Sequence, residues 1–142
     1  MPDQDVPAAT PVPRMSVSAA SLSSVKSDLA IAFLFEADRP VVPGAGNGPL
    51  QRALSLVARQ EGFRGKRREV LVWHSAGRFP SARYMLAGLG PKDSFSTDAV
   101  RDAFGAAARR ATATPARTPA RVAAALPAPP HAGEGPGTEA IA

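Results

Sequence analysis

The sequence predicts an α/β fold in which a mixed β-sheet carries helices on both faces. Two almost continuous apolar runs, 28–35 and 84–89, have the length of strands that are covered on both sides. Two other segments, which start near Pro49 and Ser96, place apolar residues at helical spacing instead. Strands and helices alternate along the chain, and one pair of strands is joined by a short connection. The sheet should therefore contain both parallel and antiparallel neighbours.

The first half of the chain contributes two strands and one helix to this prediction. Residues 16–22 alternate apolar and serine positions, which indicates a weak strand with one wet face, and 28–35 form the strong buried strand. After a Pro/Gly loop at 36–48, Pro49 fits a first helical residue, and Gly62 marks the end of the helix. The predicted apolar stripe of this helix consists of Leu50, Ala53, Leu54 and Val57.

The second half contributes a hairpin, a second helix and a last strand. The connection 75–81 is short enough that strands 70–74 and 84–89 should pair antiparallel. Ser96 or Thr97 can cap the second helix, and a final short strand is expected at 121–125. The apolar stripe of the second helix consists of Val100, Ala103, Phe104, Ala107 and Ala111. Residues 84–89, Val100 and Phe104 are the predicted core.

Composition restricts the kind of protein this can be. The 142 residues contain no cysteine, which excludes disulfides and thiolate metal sites, and no apolar run is long enough to cross a membrane. The N-terminus has no signal-peptide pattern, so we expect a cytoplasmic protein. All 17 basic residues and eight of the 12 acidic ones lie between Arg14 and Arg121, which gives this part a net charge of +9 within an overall +5. Such a charge favours polyanions or an acidic protein surface as partners.

A run of cations at 63–68, termed the basic loop, is the strongest candidate site. Its side chains Arg64, Lys66, Arg67 and Arg68 are expected to contact either a polyanion or a neighbouring subunit, and a solvated loop is the plain alternative. Four further arginines could extend this patch: Arg109, Arg110, Arg117 and Arg121. Because no aromatic residues interleave with the cations, any binding of nucleic acid should depend little on base sequence.

Two glycine-rich turns are candidate phosphate-binding loops. Gly88-Leu89-Gly90 lies between a strand and a helix, but Asp93 stands where the dinucleotide fingerprint needs a third glycine. A tight turn that lets strand and helix approach closely is the favoured interpretation. The run Gly44-Ala45-Gly46-Asn47-Gly48 precedes a helix N-terminus and is the better anion candidate, but its spacing fits no fingerprint and a flexible loop is the favoured interpretation.

No residue is predicted to be catalytic or to bind a metal or cofactor. His74 and His131 are the only histidines, and zinc needs about four convergent ligands. Ser75 beside His74 is only a sequence neighbour, and Glu36 with Asp38 is expected to be a solvated pair rather than an acid–base couple.

Two stretches also resemble a known family. The stretch RYMLAGLGPKDSFSTDAVRDAFGAAARRA, with Phe63-Arg64-Gly65-Lys66 and the strand ending in His74 upstream, is similar to the N-terminal domain of the leucyl (cytosol) aminopeptidases. The resemblance implies a macro-like domain at 15–126, preceded by a disordered Pro/Ala tail at 1–14 with Met15 as the expected true start. It also implies a linker at 127–142 that leads to a missing catalytic C-terminal domain.

The same resemblance implies the chemistry of a parent enzyme. That enzyme would be a cytoplasmic homo-hexamer in which two divalent ions, Zn or Mn, serve an exopeptidase reaction in the C-terminal domain. This chain would supply no catalytic residue and would pack on the catalytic domain and neighbouring subunits. The alternative is a stand-alone basic macro-like module that binds DNA or another nucleic acid, or a nucleotide.

Overall fold

A computed structural model describes residues 15–16, 20–38, 42–46, 48–113 and 119–126. These residues form a four-stranded mixed sheet and two α-helices, which confirms the predicted α/β class. The elements in chain order are β1 (Leu29–Phe35), α1 (Pro49–Gln60), β2 (Val70–His74), β3 (Arg83–Gly90), α2 (Thr97–Ala111) and β4 (Val122–Ala124). Within the described ranges, no helix is both long and apolar enough to cross a bilayer.

The sheet has the strand order β2-β3-β1-β4. β1 is parallel to both of its neighbours, β3 and β4, whereas β2 and β3 pair antiparallel from Val70 opposite Ala87 to His74 opposite Arg83. The predicted hairpin and the predicted last strand are therefore confirmed. β2 and β4 are the two outer strands of this sheet, which places them at opposite edges.

Alternate residues of β1 face two separate cores. Ala30, Ala32 and Leu34 pack with α1 residues such as Leu54, whereas Leu29, Ile31 and Phe33 pack with α2 residues such as Ala103. Successive side chains of a strand point to opposite faces, so the two helices cover opposite faces of the sheet. This arrangement explains why β1 is apolar throughout and confirms the expected helix on each face.

Helix α1 begins and ends where the sequence predicted. Pro49 occupies its first turn, and Gly62 follows its end with a φ of 71°, a left-handed value suited to glycine. The buried face consists of Leu50, Leu54 and Ala58. The predicted stripe was correct at Leu50 and Leu54, but Ala53 and Val57 are only half-buried.

Helix α2 begins at its predicted cap but buries a different face. The Ser96 hydroxyl accepts a hydrogen bond from the Ala99 N–H at 3.2 Å, and the buried residues are Ala99, Ala103, Ala106 and Ala107. Phe104, which we expected in the core, is 38% exposed. Small alanines let the helix lie close to the sheet, so the larger ring is displaced to the margin, where its centroid lies 4.5 Å from that of Phe33. The prediction of Phe104 as core is therefore wrong, and Val100 is half-buried.

The segment before β1 also differs from its prediction. Residues 17–19 of the expected strand 16–22 lie outside the described residues, and Leu22–Ser24 form a 3-10 turn. The Ser21 hydroxyl caps this turn, and the Leu22 N–H donates to the Gly44 carbonyl at 2.7 Å. The hydrogen bond between Leu22 and Gly44, which are 22 positions apart, is thus formed in place of the strand-to-strand hydrogen bonds that we expected. The predicted segments at 1–14 and 127–142 lie outside the described residues.

Candidate interaction surface

The basic loop is built against the end of β3 and the residues that follow β1. The Gly65 carbonyl accepts a hydrogen bond from the Gly90 N–H at 3.0 Å, and the Arg64 carbonyl accepts one from the Ala37 N–H at 3.0 Å. Gly88 lies so close to this loop that a Cβ atom there would stand 1.9 Å from the Lys66 carbonyl oxygen. Gly88-Leu89-Gly90 is therefore a site of close approach, but it is the end of β3 instead of the predicted turn, and the approaching partner is the basic loop instead of the helix.

A single carboxylate organises the backbone of this loop. One Glu69 carboxylate oxygen accepts hydrogen bonds from the Arg64 N–H at 3.1 Å and from the Lys66 N–H at 3.0 Å. These two N–H groups are consequently occupied within the loop. An anion that binds here therefore does not find these two N–H groups free.

Three of the four cations of the basic loop are ion-paired within the domain. Arg64 forms an ion pair with Asp38 at 3.0 Å. Asp102 of α2 forms ion pairs with Arg67 at 2.9 Å and with Arg68 at 3.4 Å. Exposed pairs of this kind contribute at most about 1 kcal/mol each, so they orient the side chains more than they stabilise the fold. Asp102 is the most enclosed of these groups, and it fixes the loop to α2.

A shallow groove of about 440 Å³ runs between this loop, β2 and the end of α2. We term it the edge groove, and its lining consists of Arg68, Val70, Ala106, Arg109, Arg110 and Ala113. The structure thus brings Arg109 and Arg110 to the basic loop, as the sequence suggested. Arg121 precedes β4 at the opposite edge of the sheet and does not extend the patch, and Arg117 lies outside the described residues.

The other glycine-rich turn is held by structural contacts. The Gly44 carbonyl accepts hydrogen bonds from the Leu22 N–H and the Ser21 hydroxyl, at 2.7 and 3.0 Å. The Gln51 side chain accepts a hydrogen bond from the Val42 N–H and donates one to the Gly46 carbonyl. The described part of this turn is therefore a packed connection to α1, and Asn47 lies outside the described residues.

Sequence reasoning missed a buried hydroxyl network at the hairpin. The Ser75 hydroxyl donates to the Ser81 carbonyl at 2.7 Å, and the Ser81 and Ser27 hydroxyls lie 2.7 Å apart. The Ser81 N–H donates to the Tyr84 hydroxyl at 3.1 Å. These serines fix the loop between β2 and β3 against the start of β1. Single serines in a loop carry no sequence signal that would reveal such a network.

The remaining chemical candidates do not converge in the part of the chain that the structure describes. His74 is exposed at the end of β2, Ser75 is buried and bonded elsewhere, and Glu36 and Asp38 are exposed. His131 lies outside the described residues. Among residues with described positions, no group of three or more His, Asp or Glu side chains is arranged to hold a metal ion.

The fold and this surface define an α/β domain whose distinctive feature is a cationic edge. The sequence model of the cytosol aminopeptidase family, N-terminal domain, matches residues 32–130, which run from within β1 to beyond β4. The chain therefore belongs to this family and contains its N-terminal domain. One relative is a "Probable cytosol aminopeptidase" from Alkaliphilus oremlandii (strain OhILAs), which is 38% identical over 66 residues. That alignment covers 46% of this chain and 13% of the relative's length.

Proposed function

We propose that this domain is the non-catalytic N-terminal part of a cytoplasmic leucyl aminopeptidase, an exopeptidase that releases N-terminal amino acids. Its role is to support assembly of the enzyme and to shape access to the active sites. The observation that carries this proposal is the family match over 32–130, which includes both helices and most of the four-stranded sheet. The resemblance of the basic loop and α2 to the same family supports it.

The contact surface of this role is the basic loop. Arg64, Lys66, Arg67 and Arg68 are all exposed, and the three arginines already have carboxylate partners that hold them in place. Side chains that are fixed before association lose less entropy when they bind. We propose that they contact an acidic surface of the catalytic domain or of a neighbouring subunit in a homo-hexamer.

We assign the two divalent ions, Zn or Mn, to the catalytic domain. When bound, such a pair activates a water molecule and polarises the scissile carbonyl of the peptide. The described residues do not fit this group, because their carboxylates lie in ion pairs and turns scattered over the surface. No step of peptide hydrolysis is therefore assigned to this chain.

The proposal is tested by hydrolysis of leucine p-nitroanilide with added Mn²⁺ or Zn²⁺. We expect activity from the gene product extended past Ala142 and none from the chain Met1–Ala142 alone. Activity of the short chain would mean that it contains a catalytic site. Inactivity of both, with the metal bound and the protein folded, would remove the aminopeptidase assignment.

The contact role needs a separate measurement. In the extended protein, Arg64→Ala with Lys66→Ala should lower the share of hexamer in sedimentation velocity. Arg52→Ala with Arg59→Ala removes the same charge from exposed positions on α1 and serves as the matched control. Equal loss in both variants would indicate a general charge effect and would refute the assigned contact.

The nucleic-acid alternative gains no support from these observations. The comparisons identify an aminopeptidase domain. We therefore do not propose this function.

A further inference from the structure

The outer edge of β2 carries backbone groups with no partner strand among the described residues. The Glu69 carbonyl accepts from the Gly88 N–H at 2.8 Å, and the Ser75 N–H donates to the Ala82 carbonyl at 3.0 Å. In an antiparallel pair the inward-bonded residues alternate with outward-facing ones. The N–H and C=O groups of Val70, Val72 and His74 therefore face away from β3, at the edge of the sheet. Such a row is a template for one more strand.

The edge groove lies directly beside this row, on the face that α2 covers. Val70 belongs both to the outward-facing row and to the groove lining, and Ala106 and Ala113 add apolar surface. Arg68, Arg109 and Arg110 surround that surface with positive charge. Two nearby acids among the described residues are already engaged: Asp102 pairs with Arg67 and Arg68, and the Glu69 carboxylate accepts backbone N–H groups of the basic loop. Backbone donors and acceptors, an apolar floor and cations thus lie together along one edge.

We propose that the edge of β2 binds an extended acidic peptide segment as an added strand. Its backbone pairs with Val70, Val72 and His74, and every second side chain points to the α2 side. Carboxylates at those positions lie against Arg109 and Arg110, whose guanidinium groups suit carboxylates in both charge and geometry. This site needs no catalytic domain, and Arg68 is the one lining residue that it shares with the basic loop.

Charge decides between an acidic segment and a second copy of the chain. Residues 14–121 carry a net +9, and two copies joined through β2 would place both cationic edges in one continuous sheet. Like charges that face each other across an interface disfavour association. An acidic segment gains from the same field, which also speeds its approach.

The test uses fluorescence anisotropy with the chain Met1–Ala142 and a labelled peptide of alternating Val and Glu, about eight residues long to match one strand. We expect saturable binding that weakens with salt. A peptide of alternating Val and Lys should not bind. Circular dichroism of each protein variant confirms that it remains folded.

Two changes separate strand pairing from simple charge attraction. In the probe, N-methylation of all Val residues blocks one edge of the added strand, and N-methylation of all Glu residues blocks the other. One methylated peptide should lose binding while the other retains it. Equal binding of the two would overturn the proposal, because charge alone would then hold the peptide.

In the protein, Arg109→Ala with Arg110→Ala should weaken binding about tenfold or more, as expected for lost charge-assisted hydrogen bonds. Arg52→Ala with Arg59→Ala removes equal charge from α1 on the opposite face and should change affinity less than about twofold. Equal effects of the two pairs would overturn the assigned groove. So would a dimer of the chain alone that Val72→Pro abolishes, because the edge would then take a second copy.

Discussion

Replacement of Gly88 by alanine should be strongly destabilising, although alanine is the smallest possible addition. The new Cβ would stand 1.9 Å from the Lys66 carbonyl oxygen, which is 1.1 Å inside the 3.0 Å that real Cβ contacts respect. At this point the backbone of β3 lies against the backbone of the basic loop, so no side chain can rotate away to make room. The loop must move, and this movement strains the hydrogen bonds from Gly88 N–H to Glu69 and from Gly90 N–H to Gly65, which measure 2.8 and 3.0 Å.

The size of the effect follows from these contacts. Overpacking costs about 1–3 kcal/mol, and each weakened backbone hydrogen bond adds about 0.5–1.5 kcal/mol. We therefore expect Gly88→Ala to lower the free energy of unfolding by about 3 kcal/mol in urea titrations followed by circular dichroism. A domain of ordinary stability would survive this loss and unfold at lower denaturant.

Gly105→Ala is the matched control because it makes the same chemical change within α2. Its Cβ would meet only the Arg109 side chain, at 3.3 Å, and that guanidinium can move. Alanine in a helix interior should raise stability by about 0.5–1 kcal/mol relative to glycine. If Gly88→Ala changed stability by less than Gly105→Ala does, the close approach between β3 and the basic loop would be wrong.

Three further predictions concern single contacts. Ser96→Ala should lower the free energy of unfolding by about 1 kcal/mol through loss of the cap to Ala99, and Thr97→Ala should change it by less than half as much; thermal unfolding checks both. Asp28→Ala should accelerate amide exchange in β4, because its carboxylate accepts the N–H groups of residues 120 and 121 at 2.9 and 3.0 Å, and unchanged exchange would refute this link. Phe104→Ala should lower the free energy of unfolding by about 1–2 kcal/mol, well below the loss expected at a fully buried phenylalanine. A loss of more than about 3 kcal/mol in chemical denaturation would show that Phe104 belongs to the core after all.

The elements that sequence predicted well are those that local signals determine. Pro49 has a fixed φ suited to a first helical turn, Ser96 carries a hydroxyl that can cap, and Gly62 adopts a left-handed φ without strain. β1 is apolar at every position and β3 is apolar after Arg83, because both faces of these strands are covered, and this pattern needs no knowledge of the partner. Such features depend on neighbours only a few residues away.

The errors share a different origin, because each depends on a distant contact. Phe104 continues the helical stripe of α2, and periodicity cannot reveal that alanines bring this helix too close to the sheet for a larger ring. Leu22 follows an alternating pattern, yet its N–H bonds to Gly44 and produces a turn. In both places the local sequence pattern favoured the predicted structure, but tertiary packing produced a different one.

The candidate surface shows why charge counting alone could not define a site. A sum over the sequence treats Arg110 and Arg121 as members of one patch, since they are only 11 positions apart. The strand order places β4 beside β1 and β2 beyond β3, so these two arginines lie toward opposite edges of the sheet. Conversely, Arg68 and Arg109 are 41 positions apart and line one groove. The spacing of Asp102, Ala106 and Arg109 does place them on one face of α2, and this could be read from the sequence. What that face meets depends on the position of β2 beside β3, and only the strand order of the sheet supplies it.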